Sequence, residues 1–356
     1  EQGKESFGRQ LYKHLMNGVS HMLPFVIGGG ILIAIAFLLD DYSINPANFG
    51  MNTPLAAFFK TVGGVAFDFM LPILAGYIAY SIADRPGLAV GIVGGYIAKV
   101  GNSFANISGE NAVSGGFLAA LLAGFVAGYL VLGIKKLADK LPESMEGIKP
   151  VLIYPLFGVL LIGVFMFAVN PTMAAINTGI TGFLNSMGGS SKILLGCIVA
   201  GMMSIDMGGP FNKAAYVFGT ASIASGNYDV MAAVMIGGMI PPLAVALATT
   251  FFKKKFTSEE RKSGVVNYIM GLCFITEGVI PFAAADPLRV IPSCVAGSAV
   301  AGGLSMLFGC TLRAPHGGIF VFPVVGNVVG YLIALAAGSL VGMLLLGVLK
   351  KDKVEE

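Results

Sequence analysis

Between Met22 and Leu349 the sequence falls into one apolar run after another, from "MLPFVIGGGILIAIAFLL" at 22–39 to the last run at 324–349. About 20 such residues make a helix that crosses a hydrocarbon core, where backbone polar groups must bond one another, so only helices or a closed barrel can span it. The runs are continuous and do not alternate polar with apolar, which excludes a transmembrane barrel. The chain therefore reads as an all-α polytopic membrane protein. Its 56% hydrophobic content, 12% charged content and mean hydropathy of +0.82 remove the soluble alternative. The formal charge of +3 is too small to suggest nucleic acid, and the Lys and Arg residues gather in short loops, where topology accounts for them.

That gathering sets an orientation. Lys4, Arg9 and Lys13 precede the first run, "KKLADKLPESMEGIK" and "KKKFTSEERK" interrupt later ones, and "KKDKVEE" ends the chain, so both termini and these loops belong on the cytoplasmic side. The loops "DDYSINPANFGMNTP" and "NSFANISGENAVSGG" carry no basic residue and belong outside. The pattern gives about ten transmembrane segments with two re-entrant hairpins. Residues 1–21 form a cytoplasmic or interfacial amphipathic segment, 22–170 a first domain, 171–191 a linker helix along the interface, 192–349 a second domain, and 350–356 a cytoplasmic tail. The hairpins fall near 208–226 and 264–288, where Pro, Gly and charge break the apolar pattern. Broken pairs of this kind are the best sequence pointer to a transporter's binding site.

Smaller features constrain less. The opening "EQGKESFGRQLYKHLMNG" has no cleavable-signal pattern and reads as a continuation of a longer protein. Cys197, Cys273, Cys294 and Cys310 lie in or beside apolar segments without metal-ligand spacing, so they read as small buried hydrophobes, and no metal or other cofactor is implied. GxxxG spacings occur at Gly91/Gly95, Gly124/Gly128, Gly326/Gly330 and Gly338/Gly342, but with 50 glycines chance alone supplies about seven, so no dimer face follows from them.

The second half also holds charges within or beside its apolar segments: Asp206, Lys213, Glu277, Asp286, Arg289, Arg313 and His316. At the centre of a lipid-facing helix each Asp, Lys or Arg costs about 2.5–3.5 kcal/mol, so the group must face a hydrated cavity, a partner charge or the interface. The first half is much poorer in such groups, with Asp68 and Lys99 the main candidates, which places the site in the second. Plainer readings stand beside the functional ones. Asp286 and Arg289, three apart around Pro287, have the spacing of a structural helical ion pair; Asp206 before "MGGP" suits a helix cap; Lys213 suits a counter-ion or a snorkelling residue; Arg313 suits a cytoplasmic boundary. His316, in the Pro-Gly-Gly turn "RAPHGGIF", is placed where backbone can line a cavity. Glu277 is the strongest candidate, because no cation lies within a helical turn of it in sequence. Such a carboxylate titrates, pairs at long range, or accepts hydrogen bonds from a polyhydroxy ligand.

Three segments, "MSIDMGGPFNKAAYVFG" (203–219), "FITEGVIPFAAADPLRVIP" (274–292) and "RAPHGGIFV" (313–321), carry a family resemblance. Together with the hydropathy profile from about residue 10 to 350, the sequence resembles the membrane subunit, enzyme IIC, of the bacterial phosphoenolpyruvate-dependent sugar phosphotransferase system, within its fructose family. The wider glucose-type superfamily has a G-I-T-E signature, and here Phe274 stands at its Gly position while Glu277 maps directly. The resemblance implies a glucose-superfamily IIC-like fold, in which 22–170 is a scaffold that forms a homodimer and 192–349 carries the sugar. It implies import of fructose or a closely related sugar across the bacterial inner membrane, coupled to phosphorylation by a phospho-Cys IIB partner. Glu277, His316, Asp206, Asn212, Lys213, Asp286, Arg289 and Arg313 are the substrate-binding candidates, with Glu277 also a candidate general base. The alternative is a proton-coupled secondary sugar transporter using Glu277 or Asp286; a passive channel, which needs no coupling carboxylate, ranks behind it.

Overall fold

The computed structural model describes residues 6–41, 43–186, 192–224, 227–312 and 318–353. Among them there is no β-strand, only isolated bridges between Ser103 and Asn106 and between Thr311 and Gly326. Helices α1 (Phe7–Leu39), α2 (Pro54–Ala83), α3 (Arg85–Val100), α4 (Gly116–Ala138) and α5 (Tyr154–Ser186) make up the first half. The second has α6 (Lys192–Ile205), α7 (Pro210–Ala224), α8 (Asp229–Phe251), α9 (Ser258–Leu272), α10 (Ile280–Ala285), α11 (Pro287–Leu307) and α12 (Val328–Leu349). Among the described residues six stretches are long and apolar enough to cross a membrane: Pro54–Ala83, Leu118–Ala138, Glu143–Ile176, Asp229–Phe251, Pro287–Leu307 and Val328–Leu349. The chain is a multi-pass helical membrane protein.

By packing it divides into two compact units, Glu1–Phe25 with Phe67–Thr178 and Val26–Ala66 with Gly179–Glu356. The changeovers fall inside α1, α2 and α5. Within the first unit α3 lies against α2 along a glycine seam. A side chain at Gly91 or Gly95 would strike Ala75 and Leu71 of α2, and one at Gly124 or Gly128 of α4 would strike Ala75 or Ile82. Two of the GxxxG pairs are thus used inside one unit, where missing side chains let helices approach at backbone distance. Asp68 and Lys99, the main charged candidates of this half, pair with each other at 3.0 Å.

Two expected breaks are absent. Residues 7–21 and the span at 22–39 share one continuous helix, α1, because its early face docks on α2: Asn17 Nδ2 donates to Tyr77 O (2.8 Å), His14 Nδ1 meets Ser81 Oγ (2.7 Å), and His21 stacks on Tyr77 with ring centres 3.8 Å apart. Likewise α5 runs through Pro171 to Ser186, joining the span at 150–170 to the linker segment; residues 187–191 lie outside the described residues. Before the proline, buried Asn170 donates to Ile97 O (3.2 Å) and Asn102 O (2.6 Å), fastening the helix at the point where Pro171 removes a backbone donor.

In the second unit α8 is the centre. It is apolar all round and buried from Val230 to Ala246, the mark of a helix with neighbours on every side. Helices α6, α7, α9, α11 and α12 pack on it or on one another. Small residues set the closeness: Gly237 meets Ala200, Gly302 meets Gly196 and Ala200, and Gly338 meets Gly297 and Ala301. Ser298 Oγ donates to Gly237 O at 2.8 Å and bonds Ser204 Oγ, a buried polar chain tying α6, α8 and α11. Cys273, Cys294 and Cys310 are buried, Cys197 partly so.

Candidate functional site

The first interruption is four residues, Asp206 to Gly209, between α6 and α7. Met207 and Gly208 have φ of 43° and 108°, a left-handed path that ends α6 and re-aims the chain. Asp206 fastens the restart: Oδ2 accepts the Phe211 N–H at 2.7 Å and Oδ1 the Asn212 N–H at 3.0 Å. Pro210, first in α7, has no N–H to satisfy. Asn212 reaches back, donating Nδ2 to Met203 O at 3.0 Å. Asp206 and Asn212 thus brace the break from both sides, the capping role that the sequence left open for Asp206.

The second interruption begins where α9 ends. Phe274 sits left-handed at φ 64°, its N–H bonding Gly271 O at 3.1 Å while the Ile275 N–H bonds Met270 O at 2.9 Å. This pair of bonds is a Schellman ending, in which the left-handed position favours glycine. Phe274 occupies it because its buried ring lies against Gly238 of α8, where a Cβ would collide with it, and tilts toward Tyr216 of α7 at 6.4 Å. The chain then forms a 3₁₀ turn, Glu277–Val279, before α10.

These interruptions meet. A Cβ on Gly208 would lie 3.0 Å from Glu277 Oε1, so the carboxylate lies against the bare backbone of the first break. A third segment closes in: Gly318, at φ 57°, opens the 3₁₀ stretch Gly318–Val324 and sits against Leu272 O, Cys273 and the Phe274 N–H, where a side chain would collide. The motifs of 203–219 and 274–292, and the end of that at 313–321, are thereby brought to one place. Arg313 and His316 lie outside the described residues, and Lys213 stands in the first turn of α7.

Asp286 and Arg289 form a different group. Asp286 stands between α10 and α11, accepting from Arg289 Nη1 on Oδ1 and from Lys350 Nζ on Oδ2, each at 3.2 Å. Lys350, which opens the expected cytoplasmic tail, is 2% exposed, and its Nζ lies 5.0 Å from the centre of the Phe256 ring. Around them Val279, Phe282, Val290 and Leu346 form one apolar cluster. The i,i+3 pair was visible in the sequence; Lys350 was not, because a lysine opening a "KKDK" run has the signature of a topological charge. The same corner ties the tail to the basic loop: Lys353 N–H bonds Lys254 O at 2.7 Å and Lys255 pairs with Asp352 at 3.2 Å.

The architecture and its paired breaks thus define a multi-pass helical membrane protein with charged groups gathered at interruptions of its second unit. The family profile described as "Phosphotransferase system, EIIC" matches residues 16–297. The chain is 51% identical over 350 residues to the PTS system fructose-specific EIIABC component of Bacillus subtilis (strain 168), covering 98% of this chain and 53% of that one. It is 49% identical over 316 residues to the fructose permease IIC component of Bacillus amyloliquefaciens, covering 88% and 99%. With the PTS system fructose-specific EIIB'BC component of Escherichia coli (strain K12) it shares 45% over 359 residues, 100% of this chain and 60% of the relative. Among solved structures, the transporter ChbC, the IIC component from the N,N'-diacetylchitobiose-specific phosphotransferase system, aligns at a TM-score of 0.43 and 14% identity over 96% of this chain and 93% of that one. The chain belongs to the phosphotransferase system EIIC family. It spans about half the length of the Bacillus subtilis relative and nearly all of the Bacillus amyloliquefaciens permease component.

Proposed function

We propose that this chain is the sugar-translocating subunit of a fructose phosphotransferase system in the bacterial inner membrane. It carries fructose or a closely related sugar inward, and a phospho-cysteine on a IIB domain phosphorylates it. The relatives' names point to fructose and, in the EIIABC and EIIB'BC proteins, to IIB fused with IIC. The observation on the molecule itself that carries the reading is the Glu277 carboxylate set against Gly208 where the two interrupted segments meet. A carboxylate beside the bare backbone of Gly208 offers acceptors for sugar hydroxyls.

In this reading Glu277 binds the hydroxyl that is phosphorylated. As that oxygen attacks phosphorus, the new O–P bond forms, the S–P bond to the IIB cysteine breaks, and the hydroxyl proton passes to Glu277 as general base. The added charge keeps the product from returning through an apolar path. Asp206 and Asn212 shape the first break, while Lys213, Asp286, Arg289, Arg313 and His316 complete the candidate set. Residues 22–170 serve as a dimerising scaffold and 192–349 as the transport domain. About ten membrane segments with re-entrant hairpins near 208–226 and 264–288 leave both termini cytoplasmic.

The test is phosphorylation of radiolabelled fructose by membranes containing this chain, with phosphorylated IIB supplied or withheld. Sugar phosphate formed only with phospho-IIB is the expected result. Concentrative uptake of unmodified fructose driven by a pH jump alone would overturn it in favour of proton coupling.

A further inference from the structure

The candidate carboxylate is aimed by a turn, and one residue outside the three family motifs sits against that turn. Asn267, on α9, is 1% exposed, donates Nδ2 to Gly278 O at 3.4 Å, and has a buried Oδ1 that meets no donor among the described residues. Its carboxamide occupies the space a side chain at 278 would need: a Cβ there would strike Asn267 Oδ1 and lie 2.5 Å from Met270 Sδ. Gly278 is not left-handed, so glycine at this position answers to space and not to backbone angle.

A buried amide with a bare oxygen is a poor choice for stability, since an apolar side chain of similar size would give up one long bond to Gly278 O and bury no unpaired side-chain oxygen. The return lies in what the other end of the amide holds, the residue next to Glu277. We infer that Asn267 is a positioning residue for the sugar site: it seats Gly278 against α9, and so directs the Glu277 carboxylate at Gly208. The inference rests on the proposed role of Glu277 in sugar binding.

The test uses the whole chain in membranes, measuring KM for fructose in the phospho-IIB-dependent reaction together with the melting midpoint. Asn267→Leu is expected to melt at or above the wild-type midpoint and to raise KM at least tenfold; Gly278→Ala, pressing on the amide from the other side, is expected to raise KM similarly. A residue that merely held α9 together would lower the midpoint and leave the KM of the folded protein alone. A folded Asn267→Leu protein with KM within twofold of wild type would overturn the inference; if that variant fails to insert, an unchanged KM in Gly278→Ala decides it the same way. Glu277→Gln is run alongside, because wild-type affinity in that variant would remove the underlying reading, whereas its loss beside an unchanged Asn267→Leu would remove only the role of Asn267.

Discussion

Gly208 and Glu277 make the most exposed claim about single side chains. At φ 108° any side chain is strained, by about 1–3 kcal/mol, and a methyl there also presses on Glu277 Oε1. Gly208→Ala is therefore expected to lower fructose affinity at least tenfold, about 1.4 kcal/mol, in an equilibrium binding measurement. Glu277→Gln keeps the shape and removes the charge, so it is expected to abolish fructose binding while the protein still inserts and melts cooperatively. Unchanged affinity would take Glu277 out of the site. Glu277 was legible in advance as a candidate: a carboxylate with no sequence-local cation, in a broken apolar run, had few roles open to it. Its neighbour was not legible, because Gly208 lies 69 positions earlier and only the folded chain brings them together.

The corner where α10, α11 and α12 meet makes a different prediction. Removing the ammonium from buried Lys350 strands part of the Asp286 charge, and broken buried pairs cost about 3–5 kcal/mol. Arg289 still answers Asp286, so Lys350→Met is expected at the lower end, read as a drop in melting midpoint, with Asp286→Asn in the same chain recovering part of it. Additive losses in the double variant would show that the two do not act as a pair. Helix ends were harder to read than helix existence. Ends were expected near residues 21 and 170, yet tertiary bonds from Asn17 and Asn170 hold α1 and α5 as they run on through Pro24 and Pro171, and no local propensity reports such bonds.

Across the full chain the apolar runs fixed what could be built, and the contacts of the basic loop bring two basic segments together. Lys353 bonds Lys254, so 253–255 and the chain end share one face of the second unit. Cysteines introduced at Lys254 and Lys351 are expected to react with a membrane-impermeant maleimide from the cytoplasmic side only. Labelling of either from outside would overturn the topology. The division of the chain at Phe25, Ala66 and Thr178 had no counterpart in the hydropathy profile, which records how apolar a helix is and not which neighbours it keeps.

The Schellman ending at Phe274 carries one more implication. Its ring fills the space left by the absent side chain of Gly238, so the identities of these two positions, 36 residues apart, are not independent. Phe274→Gly alone relieves about 1–2 kcal/mol of left-handed strain but empties a seat whose loss typically costs about 3–5 kcal/mol. Adding Gly238→Leu moves the bulk from one helix to the other. If the two positions share one volume, Phe274→Gly with Gly238→Leu recovers part of the melting midpoint lost by Phe274→Gly alone, and a double variant no more stable than that single one would show that they do not.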